Sequence, residues 1–76
     1  MPAWILGLWM QVKINGKPEE IQPATLTSLL QSKAIDAHMV TVELNGKMTD
    51  RAQWDQTEIR SGDEIEFLYF MGGGTI

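Results

Sequence analysis

The chain contains no cysteine. That absence excludes disulfide staples, thiolate metal sites and cysteine nucleophiles together, and it fits a reducing compartment, the cytoplasm. Histidine is nearly absent too. The single copy, His38, lies in a stretch with no second ligand or nucleophile beside it. It reads as an ordinary surface residue, so no catalytic residue, metal ligand or bound cofactor is expected. Bases are few: six Lys and Arg stand against ten Asp and Glu, a net charge of −4. No basic stripe exists that would track a phosphate backbone, which argues against nucleic acid as a partner. An acidic surface instead suits steering towards a basic protein partner. Long apolar runs are also missing. Residues 1–9, MPAWILGLW, fall far short of the roughly 20 residues a membrane span needs. They also lack the basic start and small-residue cleavage site of a signal peptide.

What remains is one small domain of 76 residues, 43% of them hydrophobic. A chain of this length buries only about 60% of its unfolded surface, so its core must be economical. Residues 1–9 form an apolar extension that carries two of the three tryptophans. Met10 begins the first patterned stretch, which leaves three readings of the extension: an overlong start, a lengthened first strand, or a contact with another copy. Exposed apolar surface of this kind favours self-association.

Residues 10–71 carry the domain pattern. Met10, Val12 and Ile14 alternate with Gln11 and Lys13, the period of a half-buried strand. Asn15-Gly16 follows, a strong signal for a type I′ hairpin turn, which needs positive φ at both central residues. The return strand, residues 17–22, contains Pro18, Glu19 and Glu20 and therefore belongs at a sheet edge. Thr25 offers an N-cap hydroxyl. Leu26, Leu29 and Leu30 form the apolar stripe of a helix reaching Lys33 or Ala34. After a loop at residues 36–38, Val40, Val42 and Leu44 face inward on a second alternating strand, and Asn45-Gly46 turns the chain again. Residues 48–57 have no two-residue period. There Asp50 or Thr49 caps a single helical turn that places Trp54 at the end of the core. Glu58-Ile59 is a candidate short strand.

The last strand opens from a Ser61-Gly62-Asp63 turn and runs through Ile65, Phe67 and Tyr69, expected to face the helix. Glu66, Leu68 and Phe70 then face outward. Leu68 and Phe70, with Met71 beside them, form a candidate partner-binding patch, unless the strand is covered on both faces. Residues 72–76 are a tail of three glycines followed by Thr75 and Ile76. Gly72 and Gly73 carry no side chain and suit a flexible arm. The order hairpin, helix, strand, irregular crossover, strand makes an α+β roll: a mixed four- to five-stranded sheet crossed by one helix. Its first and last strands lie side by side and parallel, which puts residues 1–9 far from the glycine arm.

The segments QVKINGK, LTSLL, VTVELNGK, the lone Trp54 and above all GDEIEFLYFMGGG resemble the ThiS/MoaD family of β-grasp, ubiquitin-like sulfur carriers, and most of all its ThiS members in thiamin biosynthesis. The terminal strand and its glycines are the specific part. The resemblance implies a carrier rather than an enzyme. Gly74 is then the acyl group that carries sulfur. A ThiF-like, E1-like enzyme uses ATP to adenylate its carboxylate, and sulfur relayed from a cysteine desulfurase converts it to a thiocarboxylate. A ThiG-like thiazole synthase accepts the sulfur. A chain without cysteine must hold sulfur elsewhere, and an acyl carbon serves. Three residues beyond Met71 extend the reach by roughly 10 Å.

Thr75 and Ile76 depart from the family pattern, in which the reactive carboxylate belongs to glycine. They are expected to be processed off, as in related carriers trimmed by a zinc metalloprotease, or else the copy is not a sulfur carrier. Two alternatives share the fold: a MoaD-like small subunit of molybdopterin synthase, and a ubiquitin-like modifier or interaction domain.

Overall fold

The structure, a computed structural model, describes residues 9–22 and 24–70. The order is strand β1 (Met10–Ile14), strand β2 (Lys17–Ile21), helix α1 (Leu26–Ser32), strands β3 (Val40–Leu44) and β4 (Lys47–Met48), and strand β5 (Glu64–Tyr69). One five-stranded sheet has the order β2-β1-β5-β3-β4. Both Asn-Gly pairs turn as their composition demands: Asn15 and Asn45 sit at φ 52° and 54°, with Gly16 and Gly46 at 83° and 82°. β1 and β5 are parallel neighbours, with Ile14 level with Ile65. β3 pairs antiparallel with β5 from Val40–Tyr69 to Leu44–Ile65.

Helix α1 is too short to persist alone. Thr25 and Ser28 start it with a reciprocal capping box: the Ser28 amide donates to Thr25 Oγ1 at 3.2 Å and the Thr25 amide to Ser28 Oγ at 2.9 Å. Leu26, Leu29 and Leu30 are buried against the sheet, each stabilising the fold by about 2 kcal/mol relative to exposure. The helix stops at Ser32, one or two residues earlier than the apolar stripe suggests. Lys33 caps it and Ala34 takes a left-handed φ of 58°. From the sheet, Val12, Ile14, Ile21, Val40, Val42, Ile65 and Phe67 complete the core; Leu44 is only half-buried.

Asp50 caps a 3-10 turn at Arg51–Gln53, and Trp54 follows it into the core. The indole N–H donates to Thr49 Oγ1 at 2.8 Å, and that hydroxyl donates to the Val42 carbonyl at 2.7 Å. Arg51 lies 5.1 Å over the Trp54 ring and donates to the Val40 carbonyl at 2.7 Å. The additional short strand is β4, Lys47–Met48, rather than Glu58-Ile59. Glu58 makes only a single antiparallel bridge to Thr25, because the Ile59 side chain is drawn into the core while its amide bonds to the Ala24 carbonyl. Among the described residues no helix is long and apolar enough to cross a membrane. The apolar extension falls on residues 1–8, outside the described residues, apart from Trp9. From Met10 to Phe70 the register spans nine strand steps, about 30 Å, so Trp9 lies at the far end of the sheet from Phe70.

Candidate functional site

β5 runs on past its parallel neighbour. Pairing with β1 ends at Ile14–Ile65, so among the described residues Leu68, Tyr69 and Phe70 have a strand on the β3 side only. Leu68 is 39% exposed and Phe70 49%, as the alternation of the strand suggests. Tyr69 differs from the expectation. It shares the helix-side parity of Ile65 and Phe67, which are buried, yet it is 53% exposed. The reason is position rather than parity: it pairs with Val40 at the very start of β3, beyond the reach of the β1–β2 hairpin.

Sequence reasoning missed Met39. The Phe70 amide donates to the Met39 carbonyl at 2.9 Å, and the register that pairs Val40 with Tyr69 sets these two opposite each other. Directly opposed residues share a face. Met39, exposed at 43%, therefore joins Leu68 and Phe70 in one apolar patch. The alternation of Met39, Thr41 and Glu43 carried the signal, but only the register says which residue Met39 meets. Its position is held by Asp36, which caps the 3-10 turn Ala37–Met39 by accepting the His38 amide at 2.9 Å. That bond, first, and the neighbouring imidazole hold the Asp36 carboxyl below its usual value of 3.8. His38 itself is a surface residue, with 87% of its side chain accessible.

Towards the start of β5 the same outer face becomes acidic. Glu64 and Glu66 stand beside Glu43 of β3 and Lys13 of β1, around a shallow depression. The ion pairs among the described residues are Lys33–Glu19 and His38–Asp36, so none of these three glutamates is neutralised within the described chain. The face thus offers an apolar end next to the tail and an acidic flank behind it. Among the described residues no group of three or more His, Cys, Asp or Glu converges on a point. Met71, Gly72, Gly73, Gly74, Thr75 and Ile76 lie outside the described residues.

The sequence matches the ThiS family over residues 12–74, from the first strand through the last glycine. The chain belongs to the ThiS family. A crystal structure of a thiamine biosynthesis protein (ThiS) from Geobacter metallireducens is similar to this family member at 45% identity. It covers 86% of this chain and 100% of that one with a TM-score of 0.75, and the shared fold is the ThiS β-grasp. The sulfur carrier protein ThiS of Bacillus subtilis is 29% identical over 65 residues, covering 83% of this chain and 98% of that protein. A thiazole synthase from Paramagnetospirillum magneticum is 30% identical over 67 residues, which are 87% of this ThiS-family chain. The chain spans about a fifth of that synthase, 21% of its length.

Proposed function

We propose that this protein is a cytoplasmic sulfur carrier of thiamin biosynthesis that acts as a co-substrate rather than as an enzyme. The observation that carries the reading is the family match through Gly73 and Gly74, continuous with a strand whose end presents Leu68 and Phe70 beside Met39. A Gly74 carboxylate oxygen attacks the α-phosphorus of ATP on an E1-like, ThiF-like enzyme and expels pyrophosphate. A persulfide supplied through a cysteine desulfurase then displaces AMP to form an acyl disulfide, and a thiol reductant cleaves its S–S bond to leave the thiocarboxylate. The acceptor is a ThiG-like thiazole synthase. Its support is the stretch similar to this chain inside a relative of that name. Leu68, Phe70 and Met71 dock the carrier; Gly72 and Gly73 deliver the acyl carbon.

Gly74 has a free carboxylate only once the Gly74–Thr75 peptide bond is hydrolysed, so Thr75 and Ile76 must be removed first, by a tail-trimming metalloprotease. Displacing a reacting atom by even about 1 Å can cost on the order of a hundredfold in rate, and two residues displace the carboxylate by about 7 Å. ATP–pyrophosphate exchange by the cognate adenylating enzyme tests this. A form ending at Gly74 supports exchange and the 76-residue form does not. Equal exchange by both removes the need for trimming, and no exchange by either overturns the carrier reading.

A further inference from the structure

Part of β5 faces a lane that no described strand occupies. The Phe70 amide bonds to the Met39 carbonyl at 2.9 Å, and the Asn45 amide to the Glu64 carbonyl at 2.7 Å. Bonded residues alternate in an antiparallel pair, so Ile65, Phe67 and Tyr69 turn their backbone groups away from β3. The residues opposite them agree. The Val42 carbonyl is taken by the Thr49 amide at 3.0 Å and the Val40 carbonyl by Arg51 at 2.7 Å, both on the side away from β5. On its other side, the Ile65 carbonyl accepts the Asn15 amide at 2.9 Å, and the Asn15 side chain accepts the Phe67 amide at 2.8 Å. There the hairpin ends. The Phe67 carbonyl and both backbone groups of Tyr69 have no hydrogen-bond partner among the described residues.

Open strand edges invite pairing with other chains, and proteins usually blunt them with proline or charge. The outer strands of this sheet follow that rule: β2 carries Pro18, Glu19 and Glu20, and β4 carries Lys47. The open length of β5 does not. Its residues 67–70 are Phe-Leu-Tyr-Phe. An unguarded edge in the middle of an otherwise guarded sheet, flanked by the Met39, Leu68 and Phe70 patch, matches one kind of occupant: an extended backbone whose outer-face side chains are apolar.

We infer that an extended segment of the adenylating enzyme adds to the sheet at residues 67–69, in the lane that β1 vacates. The inference rests on the carrier reading above and specifies how the partner holds the chain. Main-chain pairing supplies affinity, and the apolar patch selects the side chains that sit beside it. Pairing here also fixes the origin of the arm. Gly74 lies five residue steps beyond Tyr69, a reach of at most about 17 Å. Anchoring the strand at Tyr69 therefore confines the acyl carbon to a small volume before the arm itself is bound.

Tyr69→Pro removes one open-edge donor and nothing from the β3–β5 ladder. Proline is tolerated where the lost N–H faces outward on an edge, and it keeps Leu68 extended. Tyr69→Ala removes the side chain and keeps the donor. With forms ending at Gly74, Tyr69→Pro is expected to bind the adenylating enzyme about tenfold more weakly than Tyr69→Ala, the consequence of leaving one buried acceptor unpaired. In the unsubstituted protein, hydrogen exchange at the Tyr69 amide is expected to be fast when free and at least about tenfold slower in the complex. Equal affinities of the two variants, or unchanged Tyr69 exchange in the complex, overturn the inference. Protection of that amide in the carrier alone, growing with its concentration, also overturns it by showing a second copy in the lane. An unsubstituted carrier that fails to bind the enzyme overturns the carrier reading and this inference together.

Discussion

Asn15 and Phe67 stand 52 positions apart, and the Asn15 side-chain oxygen accepts the Phe67 amide at 2.8 Å. A residue suited to a hairpin turn by its φ of 52° thus also closes the β1–β5 lane, supplying an acceptor where β1 has no further residue to offer. Asn15→Gly keeps the left-handed turn but deletes that acceptor, so it is expected to destabilise the fold by about 1 kcal/mol. Urea denaturation measures this, and Phe67 amide exchange should quicken with it. Asn15→Asp retains an oxygen and should lose less. An Asn15→Gly protein as stable as the parent would mean that Asn15 serves the turn alone.

The apolar patch yields a binding prediction. Leu68→Glu, Phe70→Glu and Met39→Glu each place a charge in the expected interface, beside the acidic flank of Glu43 and Glu66. Each is expected to weaken binding to the adenylating enzyme by about tenfold or more, the effect of a central interface residue. All three side chains are exposed, so the melting temperature should hold. Unchanged affinity in all three variants would place docking elsewhere. A melting temperature lowered by Met39→Glu as strongly as by a core substitution would show that Met39 supports the fold.

Acid should loosen the turn that positions Met39. The folded state holds the Asp36 carboxyl below 3.8, chiefly through the His38 amide. A carboxyl depressed by folding stabilises fully above its unfolded value, and the contribution is lost as pH falls through the folded value. The window therefore lies below about pH 4. Exchange of the Met39 and Phe70 amides, corrected for intrinsic rates, should quicken there relative to core amides. In Asp36→Ala, which has no carboxyl to titrate, the Met39 and Phe70 amides should exchange faster already at neutral pH, with no further step in acid. A step of the same size in that variant would assign the effect to another group.

Local chemistry made most of the fold legible in the sequence. Asn15-Gly16 and Asn45-Gly46 announce their turns because few other pairs accept positive φ twice in succession. Pro18 and two glutamates place β2 at an edge, and the spacing of Leu26, Leu29 and Leu30 permits only one buried helix face. The glycine tail and the terminal strand were enough to carry the family. Three features depended on tertiary structure, because each is set by pairing register and not by residue type. Tyr69 is exposed although its parity matches Phe67, since β1 ends four residues earlier along the lane. Met39 enters the patch because the β3–β5 register sets it opposite Phe70. Among the described residues, the edge at residues 67–69 is open because the hairpin turns at Asn15 while β5 continues. A sequence states which way a side chain points along its own strand; how far the neighbouring strand accompanies it is settled only when the sheet is assembled.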